Sequence, residues 1–115
     1  MRILKAAFHI DEINKWQMLC NNIRNLIGDI NTHNYEIKVV VNGDAVNIFS
    51  QKDSSDLLHE LEKLVHEKVE FLLCRNALHG NNINESALPQ SVKVIPAGVT
   101  KLVELQVNGY AYIKP

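Results

Sequence analysis

From residue 3 onward, short runs of aliphatic and β-branched residues alternate with longer stretches in which apolar residues return every third or fourth position. Ile3 to Ile10 reads as a first strand. Ile13, Trp16, Leu19, Cys20, Ile23, Leu26 and Ile27 then fall on one face of an amphipathic helix. Asp11 is placed to cap its start, and Gly28 lies near its expected stop. Tyr35 to Val41 predicts a second strand, closed by Asn42-Gly43, with a short helix from Asp44 carrying Ala45, Val46, Ile48 and Phe49. Ser54 or Ser55 caps a further helix whose apolar face is Leu57, Leu58, Leu61, Leu64 and Val65. Val69 to Cys74 predicts a third strand, Arg75 to about His79 a helical turn ending at Gly80, and Asn81 to Gln90 a polar loop. Val92 to Ile95 is a fourth strand, broken by Pro96-Ala97-Gly98. Val99, Leu102, Val103 and Val107 mark a last helix, stopped by Gly109, and Tyr110 to Ile113 a last strand.

Strands separated by helices imply βαβ units: an α/β fold with a mainly parallel sheet and helices on both faces. The unbroken apolar strands Val39–Val41 and Phe71–Leu73 suit a sheet covered on both sides. Crossovers are expected to be right-handed, but the pattern does not give the strand order. Ligands bind outside the carboxyl ends of such strands. Four strand ends, His9-Ile10-Asp11, Asn42-Gly43-Asp44, Cys74-Arg75-Asn76 and Pro96-Ala97-Gly98, therefore converge on one edge if the strands are parallel.

A chain of 115 residues is one domain, spanning 1–115. With 46% hydrophobic and 22% charged residues it is not a disordered chain. A net charge of −1, without a polybasic run, argues against non-specific nucleic-acid binding and against an anionic membrane surface. Apolar runs such as Val39–Val41 and Phe71–Cys74 are far short of the ~18 residues that span a bilayer. The start, Met1-Arg2-Ile3-Leu4-Lys5, is faintly like a leader, but Asp11 and Glu12 cut it short, so a cytoplasmic location is expected. In that compartment Cys20 and Cys74 read as free thiols.

Cys74 is the strongest candidate for chemistry. It stands where a strand hands over to a helix, with Arg75 beside it. Helix-terminal N–H groups and a neighbouring cation lower a thiol's pKa from ~8.5 toward ~3.5–7.5. The resulting thiolate takes up sulfane sulfur, attacks electrophiles or is oxidised. The plainer reading is a small buried strand residue. Cys20, on the apolar stripe between Trp16 and Ile23, reads as core. His9 ends the first strand at the candidate edge, and His79 follows Cys74 by about one helical turn; each is weighed as a proton handler against a merely structural role. His59, His66 and His33 read as solvated surface. Asp11, Glu12 and Asp44 suit capping better than acid–base work. No HExxH or paired-cysteine spacing points to a metal, and no GxGxxG, GxxxxGK[ST] or GxSxG is present, so no metal or cofactor is expected.

Ala7-Phe8-His9-Ile10-Asp11, Val39-Val40-Val41-Asn42-Gly43, Cys74-Arg75-Asn76-Ala77-Leu78, Val94-Ile95-Pro96-Ala97-Gly98-Val99, Leu102-Val103-Glu104-Leu105-Gln106 and the tail Gly109 to Pro115 follow in a familiar order and spacing. Over nearly its whole length the chain resembles the small DsrE/DsrF-like (YchN-like) proteins of the sulfur-relay superfamily. The resemblance implies a three-layer α/β/α domain with a five-stranded, mainly parallel sheet, and a homo-oligomer, trimeric or hexameric. It further implies that a cysteine at the third strand end, here Cys74, carries a persulfide between sulfur donor and acceptor proteins. Many such relatives carry His where this sequence has Asn42, so no second-strand histidine beside the thiol is implied.

Two function readings follow. In the first the protein is a sulfur carrier or sulfurtransferase, with Cys74 as nucleophile, Arg75 stabilising the thiolate, Asn76 donating a hydrogen bond or holding the turn, and His9 and His79 handling protons. In the second it is a non-catalytic, ligand- or protein-binding regulatory oligomer, with Cys74 as packing. A flavodoxin-like nucleotide or flavin binder shares the architecture but lacks a phosphate loop.

Overall fold

Three consecutive crossovers each advance the chain by one strand in the same direction, and a fourth carries it back across the sheet. In the computed structural model, which describes residues 3–30 and 34–115, the order is β4-β3-β2-β1-β5, and every pair is parallel. Met1, Arg2 and His33 lie outside the described residues. The strands are β1 (Leu4–Ile10), β2 (Tyr35–Val41), β3 (Val69–Cys74), β4 (Lys93–Ile95) and β5 (Ala111–Ile113). The helices are α1 (Trp16–Asp29), α2 (Ser55–His66), α3 (Arg75–Gly80) and α4 (Gly98–Val107).

The step direction fixes the layers. Right-handed crossovers that all advance the same way leave α1 and α2 on one face, and the return from β4 to β5 puts α4 on the other. Side chains alternate along each strand, and the apolar clusters divide accordingly. Phe8, Ile10, Val39, Val41, Phe71 and Leu73 pack with Trp16, Leu19, Cys20 and Ile23 of α1 and with Leu61 and Leu64 of α2. Ala7, Val40 and Leu72 point the other way and pack with Leu102 and Leu105 of α4 and with Tyr110. The fold is thus the expected three-layer α/β/α sandwich, with one thick and one thin helical layer. Trp16 anchors the thick side, its indole N–H donating to the Ala45 carbonyl at 2.9 Å.

Several local expectations are corrected. Asp11 does not cap the first helix. A 3-10 turn, Ile13–Lys15, precedes α1, and its Ile13 N–H donates to Asp44 Oδ1 at 2.9 Å. The cap therefore comes from the neighbouring strand end, a tertiary contact that no local pattern encodes, while Asp11 pairs with Lys114 at 3.1 Å. The helix expected from Asp44 is a 3-10 segment, Gly43–Phe49. Ser54 occupies the cap position of α2, but its hydroxyl meets Gln51 Oε1 at 3.1 Å instead of a backbone N–H. The polar loop contains a 3-10 turn, Glu85–Ala87, whose Ser86 N–H donates to Asn84.

The marker residues of the last helix divide in an unexpected way. Leu102 buries against the sheet, beside the unmarked Leu105, whereas Val99, Val103 and Val107 are 68%, 58% and 80% exposed. At spacings of four these valines form a stripe along the outer side of α4. The helix is apolar on two sides, and only one of them is used within a single chain.

Candidate functional site at the carboxyl edge of the thin face

Because all five strands are parallel, their carboxyl ends do share one edge. Cys74 is the last residue of β3 and lies one alternation beyond Leu72, which places it on the α4 side of the sheet. Cys20, a residue of α1, lies on the opposite side, its side chain in the core between that helix and the sheet. Both cysteines are free thiols, and the sheet separates them. Cys20 is fully buried, and that burial pushes its thiol up to about 11, with the Arg24 charge pulling the other way.

Register extends the row on either side of Cys74. Cys74 pairs with Ile95 of β4, and Leu73 pairs with Val41, so Asn42 stands abreast of Cys74 on the neighbouring strand end. From Ile95 the chain reaches Gly98, the first residue of α4, in three steps. A Cβ added to Gly98 would lie 3.2 Å from Asn42 Nδ2 and 3.3 Å from Val40 Cγ1. The start of α4 thus closes over this part of the edge, and Cys74 is 6% exposed. The residue at the α4 cap position is Ala97, which provides no side-chain capping bond.

His9 completes the row. Its Nε2 lies 2.9 Å from Asn42 Oδ1, and its Nδ1 lies 2.6 Å from the Tyr112 hydroxyl of β5. The structure therefore brings His9 to the same edge and face as Cys74, joined to Asn42 and Tyr112, neither of which the sequence reading placed in the site. Asn42 carried a weak sign in its place at a strand end, whereas Tyr112 could be found only from the β1–β5 pairing.

Arg75, Asn76 and His79 are exposed on α3. The Arg75 guanidinium is held at two points by Glu85, at 2.7 and 3.2 Å, and His79 Nε2 lies 3.5 Å from the same carboxylate. The Arg75 hydrogen bond and charge hold the Glu85 carboxyl below the usual carboxylate range, and Glu85 in turn raises Arg75. Arg75 and His79 thus meet each other through Glu85, a partner ten residues along the chain. The larger surface grooves, between α1 and α2 and between α2 and Pro89–Val92, lie on the thick side and are not lined by Cys74. Among the described residues, no group of His, Cys, Asp and Glu is arranged to hold a metal ion, and no helix is long and apolar enough to cross a membrane.

Comparison with known proteins agrees with this architecture. The sequence pattern of the DsrE/DsrF-like family matches residues 4–115. A search of curated proteins returns no match. Among solved structures, the protein of unknown function MTH1491 from Methanobacterium thermoautotrophicum is 31% identical, with a TM-score of 0.85 over 97% of this chain and 99% of that one. The ychN protein from E. coli is 15% identical, with a TM-score of 0.73 over 98% of this chain and 100% of that one, a likeness of fold.

Proposed function

The chain belongs to the DsrE/DsrF-like family, which is associated with sulfur relay, and on that premise we propose that Cys74 carries sulfane sulfur as a persulfide and passes it between partner proteins. The observation that supports this most is the setting of Cys74. It is the strand-end residue from which α3 starts, abreast of Asn42 by register, and the first residue of α4 packs against that asparagine. Aligned backbone N–H groups and an amide favour a thiolate over a neutral thiol.

The chemistry balances without a cofactor. The Cys74 thiolate attacks the outer sulfur of a donor persulfide, a new S–S bond forms, and the donor leaves as its own thiolate. An acceptor thiolate then attacks the outer sulfur held on Cys74 and releases the Cys74 thiolate. No net electrons enter or leave. His9, joined to Asn42 at the same edge, is the proton handler in this reading. Asn76 is placed to donate a hydrogen bond or to hold the turn that follows the thiol. Arg75 contributes a cation whose charge is shared with Glu85, and His79 adds a second group to that pair.

The partners in this reading are donor and acceptor proteins and further copies of the same chain, in a cytoplasmic trimer or hexamer. The Val99–Val103–Val107 stripe supports self-association, because it presents an apolar ridge that one chain leaves exposed. The proposal is tested by incubating the protein with a sulfane-sulfur donor, removing the donor and treating with cyanide. Thiocyanate released in proportion to protein, and absent from Cys74→Ser, is the expected result; equal release from both proteins overturns it.

The 6% exposure of Cys74 and the engagement of Arg75 by Glu85 favour a second reading, a non-catalytic binding oligomer of the same fold. It predicts that Cys74 alkylates near neutral pH no faster than an ordinary thiol, whereas the relay reading predicts a faster rate.

A further inference from the structure

We infer that Tyr112, His9 and Asn42 form a positioning chain that turns the donor end of the Asn42 carboxamide toward Cys74. This inference rests on the proposed sulfur-carrying role of Cys74 and names the residues that prepare its surroundings.

Asn42 Oδ1 is an acceptor only, so the His9 Nε2 that lies 2.9 Å from it must carry a proton in either charge state of the ring. In the neutral ring, Nδ1 is then an acceptor and takes its hydrogen bond from the Tyr112 hydroxyl at 2.6 Å. Tyr112 thereby holds His9 in one tautomer. The opposite tautomer would set two lone pairs against each other at Asn42.

The carboxamide is fixed by the same bonds. With Oδ1 committed to His9 on β1, Nδ2 is directed to the other side of β2. There the first residue of α4 is Gly98, and a Cβ on it would lie 3.2 Å from Nδ2. That side also holds Cys74, abreast of Asn42 by register. A flipped carboxamide would present a lone pair to the sulfur, which disfavours a thiolate or a persulfide anion. The adjacent cations are engaged elsewhere, Lys114 by Asp11 and Arg75 by Glu85. Asn42 is thus a donor abreast of the sulfur on the neighbouring strand end, and His9 and Tyr112 act through it.

Two measurements test this together. Nitrogen and carbon NMR shifts of His9 report its tautomer directly, and the pH dependence of Cys74 alkylation reports the midpoint of thiolate formation. The expected results are an Nε2–H tautomer in the native protein and a mixed population in Tyr112→Phe. The Cys74 midpoint should rise in Asn42→Asp enough to slow alkylation at neutral pH about tenfold, with a smaller rise of about threefold in Tyr112→Phe. Tyr112→Phe removes one exposed hydroxyl, so it keeps the test decisive if Asn42→Asp folds poorly. An Nδ1–H tautomer, or a midpoint unmoved in both variants, overturns the inference. Sulfur uptake on Cys74 with unmoved midpoints defeats the inference and leaves the relay reading intact. Shifted midpoints without any sulfur uptake defeat the relay reading and leave the positioning chain intact.

Discussion

Gly43 lies so close to Asp11 that a Cβ on it would stand 2.5 Å from the Asp11 carbonyl oxygen. Its φ of +56° is also one that side-chain-bearing residues rarely adopt. Both constraints follow from the way the ends of β1 and β2 meet, where Asn42 N–H donates to the Ile10 carbonyl at 3.0 Å. Gly43→Ala is expected to cost at least about 2 kcal/mol of stability. Gly28 in α1 has nothing within 4 Å of its added Cβ, so Gly28→Ala should stabilise by about 0.5 kcal/mol. Urea midpoints of the two variants should therefore move in opposite directions.

The Arg75–Glu85 pair bears on how much local charge reaches Cys74. An exposed cation already neutralised by a carboxylate has little field left to act on its neighbour. Arg75→Ala is expected to slow Cys74 alkylation by less than about fivefold, whereas Glu85→Gln, which frees the guanidinium, should accelerate it. Initial rates with iodoacetamide at low salt check both signs.

The two cysteines should behave as differently as their surroundings. Burial holds the Cys20 thiol at about 11, so it stays protonated and unlabelled in the native protein near neutral pH and reacts once the chain is unfolded. Its neutral form also ties stability to pH. A folded-state value above the unfolded one contributes stability that is intact below about pH 8.5. That contribution is lost as the pH climbs toward 11. Peptide mapping after native and denatured labelling separates Cys20 from Cys74.

Glu70 gives a pH signature of the opposite sense. Burial pushes its carboxyl up, but hydrogen bonds from Lys38 and Lys93, at 3.0 and 3.1 Å, and their charges hold it below the usual carboxylate range. A depressed folded value contributes stability present above the unfolded value near 4.3 and lost as the pH falls through the folded one. Glu70→Gln should thus be less stable than the native protein near neutral pH, and the two urea midpoints should converge in acid.

Much of the fold was legible because its apolar periods are strong. The stripe from Trp16 to Ile27 on α1 and the runs Val39–Val41 and Phe71–Leu73 announce their elements and their burial. The strand order was not legible, because it depends on which neighbours pair and not on any local preference. The same limit hid the Asp44 cap of the Ile13 turn and the Arg75–Glu85 pair, whose partners lie far apart in sequence or across a loop. At the site, Cys74 and His9 could be picked out by their places at strand ends. Tyr112 could not, since its contact with His9 arises from the docking of β5 against β1. Val99, Val103 and Val107 announced a helix, but they mark the side of it that faces away from the sheet.

The most direct measurement is the intact mass of the protein after exposure to a sulfane-sulfur donor, followed by peptide mapping without reductant. A gain of one sulfur, about 32 Da, is expected on Cys74, absent from Cys74→Ser and removed by an acceptor thiol. An unchanged mass, or the added sulfur found on Cys20, would contradict it.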